Sequence, residues 1–104
     1  MTKTLVLIPV RDNEGKRFKP ALFVRLETRL AQLGGFSRQD NIVGVWEHEG
    51  IVYRDRNRQY IVSLMSWLEL PAWLAVILWS REAFQQEAIY IEIAGVPEIL
   101  RGSQ

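Results

Sequence analysis

The chain has 104 residues, 48% of them hydrophobic and 24% charged, and a formal net charge of +1. That length holds one domain, and the composition excludes a disordered chain. The near-zero net charge gives no bulk attraction to nucleic acid or to an anionic membrane, and the absence of cysteine removes disulfides, thiolate metal sites and cysteine nucleophiles.

Thr4 to Val10 is a short apolar run that ends in Pro9 and a charged turn, which predicts a first strand. Its apolar stretch is too short for a signal peptide, and Arg11-Asp12-Asn13-Glu14 stands where small cleavage-site residues belong, so a cytoplasmic protein is expected. Pro20 suits the first turn of a helix, and Leu22, Leu26, Leu30 and Leu33 then recur at helical spacing until Gly34-Gly35. Ile42–Glu47 and Ile51–Tyr53 flank His48-Glu49-Gly50, the pattern of a hairpin with a tight turn. With Glu49-Gly50 as the turn, His48 faces Ile51, Glu47 faces Val52, Trp46 faces Tyr53 and Val45 faces Arg54. Val43, Val45 and Val52 then share one face, and Ile42, Trp46, His48, Ile51 and Tyr53 share the other. Without a bulge in residues 54–59, Arg54 and Arg56 would join the three valines, so a bulge or kink is expected there. Tyr60–Leu64 resumes the strand. Pro71 to about Glu87 reads as a second helix, with an apolar run from Leu70 to Trp79 far shorter than the roughly 20 residues of a membrane span. Ala88–Ala94 is the last strand, Gly95-Val96-Pro97 ends it, and residues 98–104 read as a C-terminal tail on a single domain of residues 1–97.

The order β-α-β-β-α-β with right-handed crossovers predicts an α+β, ferredoxin-like sandwich: a four-stranded antiparallel sheet in spatial order 4-1-3-2 with both helices on one face. The isoleucines of the last strand and the hairpin valines fit the helix side. Trp46, Tyr53 and Tyr90, with His48 and Glu92, then fall on the open face, and a contiguous exposed apolar patch of that kind marks binding. Trp46, Tyr53 and Tyr90, together with Trp73 and Trp79 of the second helix, are the interface candidates of a homodimer or larger assembly.

Gly44-Val45-Trp46, Glu49-Gly50-Ile51-Val52-Tyr53-Arg54-Asp55, Asn57-Arg58 and the run Ile61–Leu64 resemble a family of small bacterial proteins known only as a domain of unknown function, the DUF 3574 type. The resemblance covers residues 44–64. It implies a ferredoxin-like fold and carries no activity or site residue.

Three groups of residues are chemically suggestive. His48 is the sole histidine, so no histidine pair can bind a metal; with Tyr53 and Glu92 it forms the candidate catalytic set, the histidine as general base and the glutamate as an acid or base on a covered face. Arg54, Arg56 and Arg58 are candidates for holding a small anionic ligand, since guanidinium forks match phosphate and carboxylate. Tyr53 and Tyr60 beside those arginines suggest an RNA-stacking sheet, but the glycine-aromatic spacing of that motif is absent. No phosphate loop, nucleophile elbow or metal-spaced carboxylate cluster occurs, so neither cofactor nor metal is expected. The leading functional reading is a homo-oligomeric ligand-binding or interaction module that uses its open sheet face. The alternatives are a small cofactor-independent enzyme of the dimeric ferredoxin-like class, an oxygenase or isomerase, and an RNA-binding or regulatory module.

Overall fold

In the computed structural model, which describes residues 1–102, the elements follow the order β1 (Thr2–Pro9), α1 (Pro20–Ala31), β2 (Ser37–His48), β3 (Ile51–Leu64), a 3-10 turn (Trp67–Glu69), α2 (Leu70–Ala83), β4 (Ala88–Ile93) and β5 (Val96–Arg101). One antiparallel sheet runs β2-β3-β1-β4-β5, so the expected 4-1-3-2 order is embedded in five strands rather than four. The fifth is a correction to the expected tail. Ala94 and Gly95 both take positive φ (52° and 80°), which closes a two-residue hairpin and returns Val96–Arg101 along β4. Pro97 is tolerated because β5 is an edge strand.

Both helices pack on the face of the sheet that carries Thr4, Val6, Ile8, Tyr60, Val62, Ile89 and Ile91. Phe23, Leu26 and Leu30 of α1 meet Trp73 and Ile77 of α2 and Phe84 just beyond it in one core, with the Phe23 and Phe84 rings 5.0 Å apart. Trp73 is a second correction: it is wholly buried in this core, not at an interface, because positions 73, 77, 80 and 84 recur at the helical period on the sheet side. Trp79 is half-buried at the junction of the helices, where the Arg29 guanidinium lies 4.1 Å from its ring.

β1 pairs with β3 only from Asn57 to Leu64, whereas β2 follows β3 down to the turn at Glu49-Gly50. The hairpin register is as expected, His48 facing Ile51, Trp46 facing Tyr53 and Val45 facing Arg54. Residues 42–56 thus form a two-stranded ribbon that runs past the edge of the helical layer.

The bulge does not lie in residues 54–59. It sits on β2, where Asp40 and Asn41 together oppose Arg58 and Asn41 takes φ 60°. The reason is mechanical: β3 is held on both sides at that point, while β2 is an edge strand with room for the extra residue, and asparagine tolerates the left-handed region. Arg54 and Arg56 therefore do share a face with Val43, Val45 and Val52. No burial penalty follows, because that face of the ribbon extends beyond the helices and is wet.

Candidate functional site

Two surfaces are left without cover from the chain itself. One is the sheet face opposite the helices, where Leu5, Leu7, Ile61, Tyr90 and Ile99 lie side by side across β3, β1, β4 and β5. The other is the ribbon, continuous with that face at Ile42 and Trp46. Trp46 (49% exposed) and Tyr53 (37%) stack on one another with ring centroids 4.3 Å apart and planes within 14°. The Trp46 indole donates its Nε1–H to Asp55 Oδ2 at 2.9 Å, which helps fix the ring in its stack with Tyr53. Asn57, at the root of the ribbon, is nearly buried and donates from Nδ2 to the Ile42 carbonyl at 3.4 Å. Gly44 lies beside it, and a Cβ there would stand 3.5 Å from Asn57 Nδ2. The result is a flat aromatic platform with one oriented carboxylate, Asp55, and one oriented amide, Asn57, on the same face. Asp55 and Asn57 are not among the site candidates read from the sequence. The available signal was their spacing, two and four residues after Tyr53, which places all three on the open face of one strand.

The expected catalytic set does not assemble within one chain. His48 is at the ribbon tip, largely exposed, with Nε2 3.7 Å from Glu49 Oε1. Tyr53 belongs to the platform. Glu92 lies on β4, beyond β1 from β3, and accepts a 2.8 Å hydrogen bond from the Tyr90 hydroxyl. That bond to a carboxylate raises the Tyr90 pKa above its ordinary value.

The three arginines are divided as well. Arg54 and Arg56 are exposed on the ribbon, but Arg58 turns under α1. Its guanidinium lies 4.1 Å over the Phe23 ring, and Nη1 stands 3.3 Å from Glu27 Oε2. Arg58 Nε is 3.2 Å from Asp40 Oδ1 but out of hydrogen-bond alignment, so that contact is an ion pair only. Glu27 also receives Arg38 Nη1 at 3.1 Å and the Tyr60 hydroxyl at 2.6 Å, and Arg38 Nε meets Asp40 Oδ1 at 3.0 Å. Burial, together with the bond to the Glu27 carboxylate, raises the Tyr60 pKa far above the ordinary phenol. This network ties α1 to the bulge, and it leaves Arg58 already neutralised.

Among the described residues no group of three His, Cys, Asp or Glu side chains could hold a metal ion, and no helix is long and apolar enough to cross a membrane. No family model and no curated protein matches the chain. Solved structures do. The chain is similar to a phage SAM lyase in its apo state over 99% of its own length and 90% of that chain, at 15% identity and TM-score 0.62. It is similar to a phage SAM lyase in complex with S-methyl-5′-thioadenosine over 97% and 89%, at 14% identity and TM-score 0.62. A third likeness is the divalent cation tolerance protein (Cut A1) from Thermus thermophilus, over 100% and 84%, at 12% identity and TM-score 0.55. Likeness at these identities establishes the fold, a ferredoxin-like α+β sandwich with an added edge strand.

Proposed function

We propose that this protein is a homo-oligomeric small-ligand-binding domain, in which the ribbon and open sheet face of one copy pack against a second and the ligand sits beside the Trp46–Tyr53 platform. The observation that carries the reading is that the ribbon exposes large apolar side chains on both faces: Val43, Val45 and Val52 on one, Trp46, Ile51 and Tyr53 on the other. A two-stranded ribbon is marginal in water by itself, and an apolar surface on both sides calls for cover. If a partner removes ~400 Å² of that surface, the gross gain is on the order of 10 kcal/mol at ~25 cal/mol per Å², before the cost of association.

The phage SAM lyase solved with S-methyl-5′-thioadenosine supports an adenosyl thioether as the ligand class. The platform suits such a molecule chemically, with aromatic faces for the base and the Asp55 carboxylate for ribose hydroxyls. An enzyme acting on an adenosyl substrate is the second reading, favoured by the same likeness over oxygenase or isomerase chemistry.

The test is Trp46→Glu, which places a charge at the centre of the patch and leaves the helix-side core untouched. Light scattering is expected to show an oligomer for the parent chain and a smaller, folded species for the variant. Calorimetry is expected to show S-methyl-5′-thioadenosine binding that the variant loses. A parent chain that is monomeric at tens of micromolar (the scale on which a Kd near ~1 μM is fully expressed) overturns the assembly.

A further inference from the structure

We infer that a second site, separate from the platform, lies where the β1–α1 loop meets the end of α2, and that it takes a small phosphate-bearing molecule. A groove of about 510 Å³ lies there, lined by Lys16, Arg17, Phe18, Lys19 and Arg25 on one side and reaching Gln85 on the other. That volume is within the roughly 300–1,000 Å³ of small-ligand pockets. Its floor is apolar and anchored: Phe18 packs edge-on against Phe84 with centroids 5.0 Å apart, and its amide donates to the Val10 carbonyl at 3.1 Å.

The walls are cationic. Lys16, Arg17, Lys19 and Arg25 all reach the groove, and none of the four is in an ion pair among the described residues. The lining holds one carboxylate against these four cations: Asp12, whose Oδ1 accepts from the amides of Glu14 (2.9 Å) and Lys16 (2.8 Å). Those bonds, with Asp12 N donating to the Lys16 carbonyl at 2.8 Å and the bridge between Arg11 and Arg17, hold the loop in one shape.

The charge is also in the wrong place for a purely structural role. Three cations fall within the four residues before α1, its first turn holds no acid, and its N-cap is Lys19 with no side-chain cap bond. A helix N-terminus is the positive end of the dipole, so cations there destabilise and a Ser, Thr, Asp or Asn is the ordinary cap. Lys19 has φ −62° and ψ 138°, the extended geometry in which such a cap would work. Local rules broken together at the rim of a groove are the signature of a binding site, and a phosphate group resolves all of them at once by pairing with several cations near the helix start.

The test uses the full chain at low salt, titrated with sodium phosphate, pyrophosphate, ATP and a short single-stranded DNA, and followed by amide chemical shifts. Pyrophosphate is expected to saturate, with shifts at Lys16–Leu22 and Gln85 and none at Trp46. Tighter binding of ATP assigns the apolar floor to a nucleotide base, and equal binding assigns the site to free phosphates. The Arg17→Gln/Lys19→Gln/Arg25→Gln variant is expected to bind at least about tenfold more weakly, roughly one lost ion contact or more. Lys19→Ser is expected to weaken pyrophosphate binding and to shift the unfolding equilibrium about fivefold toward the folded state, since it supplies the missing cap. Three results would overturn the site: no saturation by any phosphate, unchanged affinity in the triple variant, or DNA bound more tightly than ATP with shifts spread along the ribbon. A Lys19→Ser chain that is no more stable than the parent would remove the argument from misplaced charge.

Discussion

Val62 and Val52 stand ten residues apart on the same strand and, by the period of two, on the same face of it. Val62 is 1% exposed and Val52 is 57% exposed. The difference is one of reach. β3 has 14 residues and spans roughly 40 Å, while α1 has 12 and spans roughly 18 Å, so no helix of this chain can cover the whole strand. Alternation along a strand records which way a side chain points. What lies over it is decided by the lengths of other elements. The core half of β3 is covered by the folded chain, and the ribbon half leaves the same kind of surface exposed.

The strongest way to break this comparison is to put a charge at each valine. Val62→Asp buries an unpaired carboxylate under the helices and is expected to cost more than about 4 kcal/mol, leaving no cooperative unfolding transition by circular dichroism. Val52→Asp is expected to change the stability of an isolated chain by less than about 1 kcal/mol while shifting the light-scattering mass downward.

The arginines sharpen the same boundary with a smaller effect. Arg58→Gln removes the guanidinium from the Phe23 ring and leaves Arg38 as the one cation on Glu27 and Asp40, and is expected to cost about 2 kcal/mol in urea titrations. Arg54→Gln and Arg56→Gln, both solvated on the ribbon, are expected to fall within about 0.5 kcal/mol of the parent.

A further expected effect, smaller than that of Arg58→Gln, is a pH dependence. In the unfolded chain Tyr60 titrates near the ordinary 10.0, and folding raises its pKa. The folded state therefore holds this proton more tightly, so its contribution to stability is complete below about pH 10 and is lost as the pH rises from there through the folded value. Tyr60→Phe is expected to be less stable by about 1 kcal/mol at neutral pH and to lose part of the alkaline decline, measured by urea midpoints from about pH 8 to about pH 11.

The hairpin register, both helix starts and the order of the first four strands were legible because each rests on a local rule: a two-residue turn, a proline at the first helical turn, a right-handed crossover. β5 was missed because Pro97 and a short run of mixed polarity resemble a tail, although Ala94-Gly95 between two apolar runs carried a hairpin signal. Glu27 was missed for another reason. It follows Phe23 by four residues and precedes Leu30 by three, so it lies on the apolar stripe of α1, where a carboxylate needs partners. The partners, Arg38, Arg58 and Tyr60, come from two other strands and could not be read from the helix alone. Trp73 looked surplus because α2 is apolar nearly all round, which blurs the face that periodicity would otherwise single out.

By itself, then, the order of residues determined which side chains share a face within an unbroken strand or helix and where turns interrupt the chain, since both follow from backbone periods and from the conformations open to glycine, proline and asparagine. Whether a face is covered was settled only in three dimensions. So were the site of the bulge, the burial of Arg58 under α1, and the meeting of the β1–α1 loop with the end of α2, because each depends on segments distant in sequence competing for the same space.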